Sequence, residues 1–314
     1  MTKTPKMFKS PIKLVALLMI AFLMHSCSKD NLPQPPTAKA GKADTITLPV
    51  DSVELTGTGT GNGSKVVAYL WSQVSGPSTA IISDQGAPST IVSGLIQGRY
   101  VFQLMVTDDK GLTGVDTTSV LVNPSPIKTL VLQPANNPFD YGLSEINGVN
   151  ASGVADWSVA VMSWTYNGQS YTIRPLIKFD LTSIPSTATV QSAKLYLYSN
   201  PNPKTGNQSD ANFGTSNAML VQRVTSMWSP GTATWTNQPS GDAASQIIVP
   251  ATSSSMLDLN LDVTAQVTAM VANQANYGFL MKLQTEVPYN SRIFVASDNS
   301  TYPDKHPKLV VTYK

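Results

Sequence analysis

Apolar and polar residues alternate along this chain in short runs, and the alternation is cleanest from Arg174 to Tyr198 (RPLIKFDLTSIPSTATVQSAKLYLY). In the first run Ile177, Phe179 and Leu181 point one way, and Arg174 and Lys178 the other. In the second, Ala193, Leu195 and Leu197 oppose Lys194, Tyr196 and Tyr198. Successive side chains of a strand point to opposite faces, so only one set of each run can enter a core. The basic and aromatic sets are then either solvated sheet surface or a binding surface.

The rest of residues 127–314 repeats this pattern. Strand-like runs lie at 129–132, 160–166, 169–173, 220–224, 247–249, 257–263, 278–284, 292–297 and 309–313. Asn167-Gly168 between two alternating runs predicts a hairpin, because both central residues of a type I′ turn need positive φ. The stretch from 133 to Gly153 reads as polar and without a strand. Only 264–276 has helical spacing, through Val263, Val267, Met270 and Val271. Upstream, residues 37–124 hold short apolar clusters separated by Gly-, Asn- and Pro-rich turns, the spacing of a small β-sandwich. The expected fold class is all-β: an immunoglobulin-like β-sandwich, then a larger jelly-roll β-sandwich with one short helix.

Composition supports this reading. Charged residues make up 13% of the chain against a usual ~25%, and turn-forming residues take their place. The formal charge of +2 includes Lys3, Lys6, Lys9 and Lys13; without them 17 basic residues face 19 acidic ones. A nucleic-acid partner needs a concentrated basic footprint and is not expected. The single cysteine, Cys27, excludes an intrachain disulfide and a cysteine metal site.

The N-terminus has a basic segment and then eleven apolar residues, Leu14 to Met24, too few to span a bilayer and right for a signal-peptide core. With Ser26-Cys27 directly after, it resembles a bacterial lipoprotein signal. That resemblance implies a signal peptide at 1–26, a lipid on Cys27 and attachment to the membrane. Ser28-Lys29-Asp30 is similar to a signal for the outer face of the outer membrane, which implies a cell-surface location. Residues 27–36, with three prolines, read as a tether.

YLWSQVSGP (69–77), GRYVFQLMVTDDKG (98–111) and DTTSVLV (116–122) resemble a PKD domain, a family of immunoglobulin-like spacers. The resemblance places Trp71 in the core. Asp108 and Asp109 read as caps of the turn at Lys110-Gly111 in preference to calcium ligands. Asn123 to Pro126 form a short join.

The stretch from Arg174 to Tyr198, VQRVTSMWSPGTATWTNQP (221–239), LDVTAQVTAMVANQANYGFLMKL (261–283) and FVASDNSTYPDKHPKLVVTY (294–313) resemble a DNRLRE-type domain, a group that includes the alginate-binding modules of carbohydrate-binding module family 96. This implies non-catalytic binding of an acidic polysaccharide. Arg174 and Lys178, roughly 13 Å apart at a strand's rise, would touch different units of an extended polymer. Lys194, Tyr196 and Tyr198 would lie beside them if the two strands share a sheet. Lys282 and Arg292 also face away from their strands' apolar sets and complete the candidate binding residues. Trp228 and Trp235 are expected in the core, while Trp157 and Trp164 stay open between platform and core.

Catalysis has little to draw on. Beyond the leader His306 is the only histidine, and no carboxylate pair stands out. Asp180 reads as a turn carboxylate. No cofactor is expected; Asn136, Asn137, Asp140, Glu145, Asn147 and Asn150 could supply oxygens for a structural calcium, but lack a fixed spacing and read as a solvated loop. An adhesive or structural protein, and an unfamiliar polysaccharide-degrading enzyme, remain as alternatives.

Overall fold

A computed structural model describes residues 33–150 and 158–314. The leader, the lipidation candidate Cys27 and Trp157 lie outside the described residues. Contacts divide the chain into two compact units, meeting between Ser125 and Pro126.

The first unit contains β1 (Thr37–Lys39), β2 (Asp44–Thr47), β3 (Val53–Thr56), β4 (Thr58–Thr60), β5 (Val66–Ser75), β6 (Ile81–Ile82), β7 (Ser89–Ser93), β8 (Gly98–Asp108) and β9 (Thr113–Asn123). A four-stranded sheet β2-β9-β8-β5 and a three-stranded sheet β3-β7-β6 account for most of it, with β1 and β4 as a separate pair. Alternation sends Tyr100, Phe102, Leu104 and Val106 inward, where they pack around a fully buried Trp71. Asp108 Oδ1 accepts the backbone N–H groups of Lys110 and Leu112, and Asp109 Oδ1 that of Lys65. Asp108 is thus the expected cap of the turn at Lys110-Gly111, whereas Asp109 is not, and instead ties this turn to the backbone of Lys65 before β5.

The second unit contains β10 (Lys128–Leu132), β11 (Asp140–Ile146), β12 (Val149–Asn150), β13 (Ser158–Tyr166), β14 (Gln169–Ile177), β15 (Val190–Leu197), β16 (Asn212–Phe213), β17 (Met219–Arg223), β18 (Ile247–Val249), β19 (Leu259–Asp262), α1 (Thr264–Ala272), β20 (Phe279–Leu283), β21 (Asn290–Val295) and β22 (Lys308–Tyr313). Its four-stranded sheet runs β10-β22-β15-β19. The nine-stranded sheet runs β16-β21-β13-β14-β20-β17-β18, with β11 on β14 and β12 on β11. The main core lies between them. Ala193, Leu195, Leu197, Leu309 and Val311 come from one sheet, and Val161, Ile177, Phe279, Met281 and Phe294 from the other. Each large side chain buried there stabilises the fold by roughly 1.5–3 kcal/mol.

The Asn-Gly hairpin forms as the sequence predicts: Asn167 and Gly168 have φ of 49° and 77°, and Tyr166 pairs with Gln169. The helix is shorter than its spacing suggested. It stops at Ala272 because Asn273 caps it and Gln274 turns left-handed with φ of 50°. The stretch read as a polar loop contains β11, which pairs with β14 along its length. Glu145 and Asn147, offered as calcium ligands, instead accept backbone N–H groups of Gly148 and Ser170. Among the described residues no helix is long and apolar enough to cross a membrane.

Candidate functional site

The two strands of the stretch from Arg174 to Tyr198 are not neighbours, contrary to the arrangement that would set their polar faces side by side. β14 pairs with β11, β13 and β20, whereas β15 pairs with β19 and β22. Residues 178–189 carry the chain from one sheet to the other. Phe179 and Leu181 are buried in the core they cross, and Asp180 Oδ1 is engaged by the N–H and hydroxyl of Thr182. Arg174 and Lys178 therefore do not lie beside Lys194, Tyr196 and Tyr198.

Arg174 is half-buried and already gripped. Its Nε and Nη2 donate to Glu286 Oε1 and Oε2 at 2.7 and 2.6 Å, and Nη1 donates to Gln238 Oε1 at 2.8 Å. The guanidinium carbon lies 4.1 Å from the centre of the Trp235 ring. Gln238 Nε2 also donates to the Trp235 carbonyl at 3.0 Å, so both ring and backbone of Trp235 are held. A planar fork suits this double duty in a way an ammonium would not. Trp235 was expected in the core and is instead half-exposed at the wall of a cavity.

That cavity, about 630 Å³, is lined by Tyr141 and Leu143 of β11, Ile173 and Pro175 of β14, Trp235, and the carboxylates Asp140 and Asp298. Asp140 Oδ2 accepts the backbone N–H of Ser297 at 2.8 Å. Burial raises the Asp140 pKa to about 7 against that bond's opposing pull, and the charge of Asp298 adds to the rise. No sequence signal linked these two residues, because they are far apart in the chain.

Lys178 Nζ sits 4.3 Å from the Phe139 ring centre, and Lys282 is half-buried on β20. Arg292, expected among the surface binding residues, is instead fully buried in β21, where both faces of the strand are covered. Its Nε and Nη2 donate to the backbone carbonyls of Asn217 and Pro250. No ligand can reach it from the surface. Burial of the cation lowers its pKa from the usual arginine value. His306 is also buried, its Nε2 2.9 Å from the Asn299 carbonyl oxygen.

On the outer face of the four-stranded sheet, Lys194, Tyr196 and Tyr198 are joined by Lys308, which the sequence reading missed. Lys308 Nζ lies 4.6 Å from the Tyr196 ring centre and 5.7 Å from that of Tyr198. Alternation against Leu309 and Val311 was the available signal. Lys194 pairs with Asp262 at 2.9 Å, and bonds from the Thr264 hydroxyl and Lys194 hold that carboxyl well below the usual range. Trp228 packs edge-on to Phe139 and donates Nε1–H to the Tyr277 carbonyl. Trp164 is half-exposed between Phe213 and Tyr289, at 5.5 and 5.2 Å between ring centres.

The chain is thus an immunoglobulin-like domain followed by a curled β-sandwich with one short helix. Residues 155–313 match the model of carbohydrate-binding module family 96, and residues 40–122 that of the K319L-like PKD domain. The chain belongs to carbohydrate-binding module family 96. Both matched domains are of non-catalytic kinds.

The mouse dyslexia-associated protein KIAA0319-like protein is 33% identical over 135 residues, 42% of this chain and 13% of that protein. Mouse low-density lipoprotein receptor-related protein 11 is 37% identical over 97 residues, 31% of this chain and 20% of that protein. This chain thus spans a minor part of either relative's length. Among solved structures, a PKD domain from the KIAA 1837 protein is 34% identical, with 28% of this chain and 87% of that one covered and a TM-score of 0.27. Promiscuous carbohydrate-binding modules of the β-sandwich superfamily are 13% identical, with 90% and 91% covered and a TM-score of 0.24.

Proposed function

We propose that this chain binds an acidic polysaccharide without cutting it, and that the row of Lys194, Tyr196, Tyr198 and Lys308 receives the polymer. The observation that carries this reading is the placement of Lys308 over both tyrosine rings on the outer face of the sheet. Tyrosine faces stack on sugar rings, while ammonium groups pair with uronate carboxylates. Lys194 is shared with Asp262, but that pair is exposed and contributes little, so a ligand carboxylate can compete for the ammonium. The PKD domain serves as a spacer, and a lipid on Cys27 holds the chain at the outer membrane surface.

Affinity electrophoresis of the full chain in alginate gels tests the site. Retention is expected at low salt and should fall as salt rises. Replacing Lys194 and Lys308 together by Ala, or Tyr196 by Ala, should lower the affinity roughly tenfold. Unchanged retention in both variants would move the site elsewhere, and no retention of any uronate polymer would end the acidic-glycan reading. For the anchor, Cys27→Ser should release the chain from the membrane fraction; a variant that stays there would refute lipid attachment at this residue.

A further inference from the structure

The cavity beside Trp235 belongs to no part of the tyrosine–lysine row, since its walls come from β11, β13, β14 and nearby loops, and the row from β15 and β22. Its volume, about 630 Å³, lies within the range of pockets that hold small ligands. One wall is an aromatic ring held in place from below by Arg174 and along its backbone by Gln238. Such holding removes much of the entropy that a mobile indole would lose on stacking against a ligand. The polar walls mix asparagine amides and hydroxyls with two carboxyl groups, Asp140 and Asp298, whose oxygens are acceptors of the kind that sugar hydroxyls seek. Among the described residues neither carboxylate takes part in an ion pair.

We infer that this cavity is a second carbohydrate site, one that takes neutral sugar units by stacking on Trp235 and by hydroxyl hydrogen bonds to Asp140 and Asp298. A uronate is a poor fit, because its carboxylate would meet Asp298 beside a site where burial already disfavours the charged form of Asp140, with no cation among the lining residues to balance them. The raised pKa of Asp140 is in keeping with this, since it reports how little charge the cavity tolerates. Arg174 is then a positioning residue: it acts through the indole, and its own donors are taken up by Glu286 and Gln238. The chain would display two sites of opposite preference, a cationic row for an acidic polymer and an anionic pocket for a neutral one.

Titration of the full chain with cellohexaose, mannohexaose and xylohexaose, read by tryptophan fluorescence and calorimetry, tests the inference. At least one is expected to bind at millimolar concentration or better, with an affinity that salt leaves unchanged. Trp235→Ala should weaken that binding roughly tenfold or more while leaving alginate retention as it was, which also shows that the variant folds. Arg174→Lys keeps the charge but loses the fork, and should weaken neutral-sugar binding several-fold. Asp298→Asn should admit uronate oligomers as competitors that the natural chain excludes. The inference is overturned if none of the three hexasaccharides binds, or if Trp235→Ala leaves their binding intact. It is equally overturned if uronate oligomers compete in the natural chain, or if new reducing ends appear during incubation. Because its readouts are neutral ligands and salt independence, its failure is distinguishable from failure of the acidic-glycan reading.

Discussion

Arg292→Ala is expected to destabilise the C-terminal domain by roughly 3–5 kcal/mol, enough to lower its melting temperature visibly in a calorimeter. The side chain is fully buried and holds two backbone carbonyls, those of Asn217 and Pro250, at 3.1 and 2.6 Å. Truncation leaves both acceptors without a donor inside the protein, at about 1–3 kcal/mol for each unsatisfied group. It also opens a void where one of the largest fully buried side chains stood. Arg292→Met refills the void but not the hydrogen bonds, and should fall between the two. A surface ligand residue would behave in the opposite way, with polysaccharide retention lost and melting unchanged. An Ala variant that melts with the natural protein would refute the structural role.

Asp140→Asn is expected to change how stability depends on pH. In the folded domain Asp140 keeps its proton up to about pH 7, whereas in an unfolded chain an aspartate loses it near ~3.9. Between those values the unfolded state binds fewer protons than the folded one. This residue's contribution therefore weakens as pH rises through the window, on the order of 1.4 kcal/mol for each unit of pKa difference. The substituted amide cannot ionise, and its carbonyl can still accept the Ser297 N–H. The variant should gain on the natural protein as pH climbs from about 4 to 7 and hold a constant lead above that. Chemical-denaturation curves across this range would check it. Parallel pH profiles would mean that Asp140 is not held neutral by burial.

Much of the fold was legible from alternation alone. The period of two separated Ile177, Phe179, Leu181, Leu195 and Leu197 from their polar neighbours, and all five are buried in the main core. Asn167-Gly168 and the turn caps at Asp108 and Asp180 were legible because their chemistry is local, acting within a few residues. Strand β11 was missed because Asp140, Ser144 and Glu145 make it look polar. Their partners, Ile177, Ile173 and Thr172 on β14, are what make it a strand.

The candidate site was legible only in outline. Arg174 and Arg292 gave the same signal, a cation opposite apolar neighbours, and met different fates. One braces an indole, and the other is sealed between strands and loops. Lys308 was open to detection by the same alternation, whereas the meeting of Asp140 with Asp298 left no trace in either residue's surroundings in the chain.

By itself, then, the sequence determined the all-β class, the two-part organisation and which face of most strands turns inward, because those follow from local periodicity and turn chemistry. Only the tertiary structure decided which sheet each strand joins and which displayed groups are free. Those outcomes depend on partners such as Glu286, Gln238 and Asp262, brought from distant loops and strands. A charge's availability is set by what folds against it, and Arg174, first in the stretch with the clearest alternation, is already occupied by its own protein.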